Sequence, residues 1–195
     1  MDEVKKDLNE FEEILDVNIQ LAENIETIEE EIPASSDEKR KLLEKTKIVK
    51  QTWSILEIYQ KVQSGKLILD PYYQRNVIWK SDKKVAFIES LYMGIIIPPI
   101  YVVEIPGENV LDGASYEVVD GKQRLTTILG FVENKFSLES KSLEYYKDWF
   151  SNKRFSEIQS EFPELTNDML SSVLDIYVIT ANSPEFTKYD IFSRL

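Results

Sequence analysis

Five consecutive residues, Asp120-Gly121-Lys122-Gln123-Arg124, stand where an apolar, β-rich run ends and a helical pattern begins. A helix that starts just after a strand exposes unbonded backbone N–H groups and the positive end of its dipole. Gly121 lets an anion approach the backbone closely, because no Cβ stands in the way. Lys122 and Arg124 add positive charge, and a guanidinium can grip phosphate oxygens with two parallel hydrogen bonds. Asp120 repels phosphate unless it holds Mg2+, orients Arg124 or binds a ribose hydroxyl. Gln123 could place a water or contact a base, and Thr126 falls in the same opening turns. The chemistry these types suit is the binding of a nucleoside triphosphate. The plainer reading is an Asp-Gly turn followed by a solvated helical turn. The pattern is neither a Walker A loop nor a dinucleotide-binding glycine motif.

Two further clusters carry suitable side chains. In "DPYYQRNVIW", Asp70 to Trp79, two tyrosines and a tryptophan accompany Gln74 and Arg75. Aromatic faces beside arginine suit a planar ligand; the same residues also serve as half-buried packing with Arg75 paired to an acid. In "YDIFSRL", Asp190 and Arg194 are four apart and can pair on one helical face.

The absences exclude whole classes of enzyme. The 195 residues contain no histidine and no cysteine. A Ser-His-Asp triad, a histidine base, a thiol nucleophile, a disulfide and a Cys/His metal finger are all ruled out for this chain. No stretch approaches the roughly 18 apolar residues that would span a bilayer, and the acidic opening lacks a signal-peptide core. A cytoplasmic location is the default expectation.

The formal charge of −12 is unevenly spread. Residues 1–45 carry 15 Asp/Glu against 6 Lys/Arg, which leaves the remainder nearly balanced. The general field opposes nucleic-acid binding by the leader, while local basic pockets stay open. Residues 2–31 carry a broken apolar stripe (Phe11, Ile14, Leu15, Ile19, Leu21, Ile25, Ile28) that predicts a helix for docking or oligomer contact, with a loosely attached tail as the alternative. A linker follows at 31–39, with Pro33, Ser35 and Ser36 as breakers. The division is therefore 1–45, an acidic helical extension with its linker, and 46–195, the folded domain.

Within that domain the pattern predicts a strand over 46–53. A helix follows, with Ser54 capping it and Glu57 reaching back, that stops at Gly65. Ser81 is expected to cap a second helix that ends at Gly94. Strands over 100–104 and 116–119 should pair as a hairpin or as neighbours. The helix after Gly121 should reach about Asn134. Residues 141–162 are aromatic-rich and irregular, 171–180 read as a strand, and a last helix begins near Pro184. That pattern breaks off at Leu195 without a capping glycine, as expected for a truncated chain or one domain of a longer one. The fold class is α+β.

In order, "YQR" with Trp79, "GIIIPPI", "DGKQRLTTI" and a terminal "IFSRL" resemble the motifs of a known family. It is the domain-of-unknown-function family that supplies the N-terminal domain of GmrSD-type modification-dependent restriction proteins, whose signature reads "DGQQRLTTL". The resemblance spans about 46–195. It implies a ParB/sulfiredoxin-like fold, with a small mixed sheet and surrounding helices, that binds and hydrolyses nucleoside triphosphates in phage defence. Under it, Asp120, Gln123 and Arg124 are catalytic candidates, with Asp120 holding Mg2+. Gln74, Arg75, Gly121, Lys122 and Thr126 are nucleotide-binding candidates. Lys122 departs from the family's usual glutamine, and the chain stops before the usual asparagine. DNA would be reached through a C-terminal nuclease domain or a partner subunit; without histidine this chain is not itself that nuclease. Sulfiredoxin chemistry is not implied, since its cysteine has no counterpart. A sensing module of the same fold, without turnover, is the alternative.

Overall fold

The structure is a computed structural model, and it describes Asp37 and residues 46–69, 79–109 and 111–183. The rest of the acidic leader, the segment holding Gln74 and Arg75, and the C-terminal "IFSRL" lie outside the described residues.

β1 (Ile48–Ser54) leads directly into α1 (Ile55–Gln63). The junction is the one the serine predicts: Ser54 is extended and its hydroxyl accepts from Glu57 N at 3.1 Å. The Glu57 carboxylate pairs forward with Lys61 at 3.4 Å. The chain then runs through the two-residue β2 (Leu67–Ile68), α2 (Ser81–Tyr92), β3 (Ile100–Ile105), β4 (Ser115–Asp120) and α3 (Lys122–Val132). A 3-10 turn (Ser140–Ser142) and three short helices follow: α4 (Lys147–Phe150), α5 (Phe155–Glu161) and α6 (Pro163–Ser171). β5 (Val173–Ile179) closes the described chain. Ser81 does not cap α2. Lys80 takes the cap position, and the Ser81 hydroxyl donates instead to Glu139 at 2.8 Å.

The five strands form one mixed sheet in the order β1-β5-β3-β4-β2. β3 and β4 are antiparallel neighbours, as their spacing predicts. β5 returns between β1, to which it is antiparallel, and β3, to which it is parallel. Register puts Leu174 beside Trp53, Ile176 beside Ile100, and Val178 beside Val102. These residues alternate with exposed or half-exposed ones such as Val173, Asp175 and Tyr177, so one sheet face is apolar.

The helices cover that face. Ile55 and Ile58 of α1, Val85 and Ile88 of α2, and Leu125, Ile128 and Phe131 of α3 are fully buried. They join the strand residues in a single apolar cluster with Phe150, Ile158 and Met169. The irregular aromatic stretch finds its purpose here: Tyr92, Phe131, Tyr146 and Phe150 meet ring to ring, with Tyr146 and Phe150 stacked at 4.7 Å. Among the described residues, no helix is long and apolar enough to cross a membrane.

One irregularity bears on the site. Tyr101 pairs with Asp120 while Val102 pairs with Val118, so Val119 is an extra residue on β4. Such a bulge bends the strand and redirects the residues beyond it. Val118 and Val119 are both fully buried, and only Val118 belongs to the main cluster.

Candidate functional site

Just past the bulge, Gly121 takes the left-handed conformation, φ 98°, and caps the N-terminus of α3. Its carbonyl accepts the first helical bond from Leu125 N at 3.0 Å. The first turn holds no acid and the cap contributes no side-chain bond. The positive end of the α3 dipole is therefore not neutralised from within its own first turn. Two constraints demand glycine here. A side chain is strained at this φ, and an added Cβ would sit 2.3 Å from Ile100 Cδ1 and 3.3 Å from Arg124 Nη2. The side of Gly121 that lacks a Cβ thus faces β3. Close packing on Ile100, more than room for an anion, accounts for it.

Arg124 turns inward. Its Nη1 donates to the carbonyls of Pro98 at 2.5 Å and Pro99 at 3.1 Å. Its Nη2 donates to Asp120 Oδ2 at 2.5 Å. The arginine side chain is 12% exposed and that of Asp120 39%. Of the three roles open to Asp120, the geometry shows the orientation of Arg124. The guanidinium ties the strand end to the double-proline bend that leads into β3. Sequence reasoning missed the proline carbonyls; the available signal was the Asp-Arg spacing of four, which permits an ion pair across one helical turn.

Gln123 does something different. Its side-chain Oε1 accepts from the backbone N of Trp79 at 3.1 Å, across 44 residues of sequence. Its own carbonyl accepts from the buried Thr127 hydroxyl at 2.7 Å. The start of α3 is thereby fastened to the end of the "YQR" segment. Trp79 packs edge-on against Phe87 at 5.2 Å, and the Lys83 ammonium lies 4.4 Å over its ring. Lys122 is half-buried and Thr126 is exposed. Gln74 and Arg75 lie outside the described residues. The structure therefore brings Asp120, Gly121, Gln123 and Arg124 together with Trp79.

Residues 55–195 match the GmrSD restriction endonuclease, N-terminal domain. That match covers well over half of the chain. The chain belongs to this family. No curated protein and no solved structure matches it. In this GmrSD N-terminal domain, three of the four ordered motifs are represented among the described residues. "DGKQR" forms the strand-to-helix junction, "GIIIPPI" supplies the carbonyls that Arg124 binds, and Trp79 supplies the N–H that Gln123 binds.

A metal would find few ligands among these groups. Among the described residues, no group of three or more Asp, Glu, His or Cys side chains is placed to hold one. Asp120 is the one carboxylate of the motif, and it is already bonded to Arg124.

Proposed function

We propose that this chain is the nucleotide-binding domain of a restriction protein, with a nucleoside triphosphate seated against the start of α3. The observation that carries the reading is the Gln123–Trp79 bond. It fastens Trp79, the tryptophan of the "YQR" motif, to the helix end whose dipole favours phosphate. Lys122 and Thr126 would contact the phosphates, and Gln123 would orient a water or the base. Arg124 would act as a positioning residue, holding Asp120 and the proline bend. Mg2+ would arrive with the nucleotide, held mainly by its phosphates, with Asp120 as the candidate protein ligand; it would neutralise phosphate charge. The domain would be cytoplasmic and would act on phage DNA through a nuclease domain or partner subunit. The acidic leader would serve as an oligomer contact.

A second reading is favoured by the Asp120–Arg124 pair. A carboxylate committed to a guanidinium is poorly placed to bind a metal or activate water. On that reading the domain binds nucleotide without hydrolysing it and reports occupancy to another domain.

Calorimetric titration with Mg-ATP and Mg-GTP, beside thermal melts, tests the proposal. The wild-type chain should bind one or both. Lys122→Ala should weaken binding roughly ten-fold, since about 1.4 kcal/mol is one decade, with little change in melting temperature. Absence of triphosphate binding by the folded wild type would overturn both readings. Phosphate release during the titration separates the enzyme from the sensor.

A further inference from the structure

We propose that the entry to α2 is a binding surface for the phosphodiester backbone of a nucleic-acid strand, built from Lys80, Lys83 and Lys84 beside Trp79. The proposal does not rest on the nucleotide reading, because it uses none of the "DGKQR" side chains as ligands.

Three of the five residues from Lys80 to Lys84 are lysines, with Asp82 the only acid among them. They stand in a chain whose net charge is −12. They also stand at the wrong end of a helix. Lys80 occupies the cap position of α2, and Lys83 and Lys84 fall in its first turn. Cations near a helix N-terminus face the positive end of the dipole and are unfavourable there. A local rule broken three times within five residues marks a place where function outweighs stability.

Nothing described neutralises them. Among the described residues, no carboxylate lies within ion-pairing distance of Lys80, Lys83 or Lys84, although other surface lysines are so paired. Two are held by aromatic faces instead: Lys83 lies 4.4 Å over Trp79, and Lys84 5.9 Å over Phe136. Lys80 and Lys83 are exposed. From Lys80 to Lys84 the helix rises about 6 Å, a span that covers two successive phosphates at about 3.4 Å per nucleotide along one strand. Lysines interleaved with an aromatic ring form the usual platform for a strand, with cations tracking the backbone beside the ring. An acidic protein would satisfy the charge but would make no use of the ring. The bond from Trp79 N to Gln123 Oε1 makes this shoulder contiguous with the start of α3.

The test is fluorescence anisotropy of the full chain with labelled 20-nucleotide single-stranded DNA, the same sequence as duplex, and a labelled polyglutamate peptide. Titrations run from 50 to 200 mM salt. The comparison is Lys80→Gln/Lys83→Gln/Lys84→Gln, with Lys80→Gln alone as a milder variant and melting curves for each. Wild type should bind DNA with an affinity that falls as salt rises. The triple variant should bind at least ten-fold more weakly at 50 mM. Its log–log salt slope should be shallower by about 1.4, near 0.7 for each of two lost phosphate contacts on a single strand. Lys80→Gln should give a part of that change with an unaltered melt. Mg-ATP titration of the triple variant should be unchanged, which separates this surface from the nucleotide site. No DNA binding by wild type, an unchanged salt slope in the folded variants, or binding of polyglutamate in preference to DNA would each overturn the proposal. Comparable loss for duplex and single strand supports backbone recognition, and loss confined to the single strand supports it with Trp79 as a stacking face.

Discussion

Arg124 Nη2 and Asp120 Oδ2 meet at 2.5 Å, while the other guanidinium nitrogen holds two proline carbonyls from a different loop. One arginine thus joins the end of β4, the start of α3 and the bend before β3. Arg124→Ala removes a charge-assisted bond worth about 1.5–3 kcal/mol, and it leaves Asp120 and two carbonyls without their donor. Asp120 is more than a third exposed, so water recovers part of that loss. The melting temperature should fall clearly, by an amount equivalent to about 2 kcal/mol. Arg124→Lys should recover only part, since one ammonium cannot span three acceptors in a fixed fork. Melts of both variants beside nucleotide titrations check this. A normal melt with lost nucleotide binding would show that Arg124 serves the ligand and not the fold.

Gly121→Ala should destabilise through two separable terms. The left-handed backbone costs a non-glycine residue about 1–2 kcal/mol. The new Cβ meets Ile100 Cδ1 at 2.3 Å, and such overpacking costs about 1–3 kcal/mol. Ile100→Val deletes Cδ1 and leaves Cγ2, which lies at 3.2 Å. In the double variant the backbone term should remain while much of the clash is relieved. A double-mutant cycle from denaturant melts reads the coupling directly. Strict additivity would mean that Ile100 is not what requires glycine.

What was legible in the sequence was local. Ser54 announces α1 through its hydroxyl, and "DGKQR" announces a helix start because a glycine after a strand can take a positive φ. The β3–β4 pair followed from two short apolar runs flanking a polar turn. The place of β5 between β1 and β3 was not legible, because strand order depends on pairings between residues as far apart as Ile48 and Ile179, or Ile100 and Ile176. The bulge at Val119 was hidden too: two adjacent valines read the same whether or not the ladder slips between them. The roles within "DGKQR" divided along the same line. Side-chain type suggested charge for an anion, while the direction of Arg124 depended on the carbonyls of Pro98 and Pro99, 25 and more residues away.

Glu89 is a buried acid that the chemistry of the site does not use. It is 4% exposed, and its carboxylate accepts from three consecutive backbone donors: Glu144 N at 3.1 Å, Tyr145 N at 2.7 Å and Tyr146 N at 2.8 Å. The contact pins α2 to the loop before α4, where Tyr146 stacks into the aromatic cluster. Glu89→Ala leaves three part-buried N–H groups without their acceptor, at about 1–3 kcal/mol for each one that water cannot reach. Loss of cooperative folding, or a melt lowered by an amount equivalent to several kcal/mol, is expected. Glu89→Gln keeps one acceptor oxygen and should fall between. Hydrogen exchange at 144–146 should accelerate in both variants, and unchanged protection there would refute the anchor role.

Tyr92 makes the stability of this domain sensitive to alkali. Its hydroxyl is buried beside Phe131 and Phe150 without a hydrogen-bond partner in bonding geometry. Burial pushes its pKa from 10.0 up to about 12, only partly offset by the Thr166 hydroxyl, which itself donates to Phe162 O at 3.1 Å. The folded state thus holds the phenolic proton more tightly than the unfolded state. The stability from this difference is complete below pH 10, and it drains away as pH rises from about 10 through about 12. Tyr116 is shifted upward as well, by burial first and then by Glu104, so some alkaline sensitivity persists in any Tyr92 variant. Tyr92→Phe deletes the titrating group while keeping the ring contacts. It also removes an unpaired buried hydroxyl, which costs about 1–3 kcal/mol where it stands. At pH 7 the variant should melt at or above the wild-type temperature, and between pH 10 and 12 its melting temperature should decline less steeply. Melts across that range check both expectations. A variant that melts lower at pH 7, with the same alkaline slope as wild type, would mean that the hydroxyl is paired in solution.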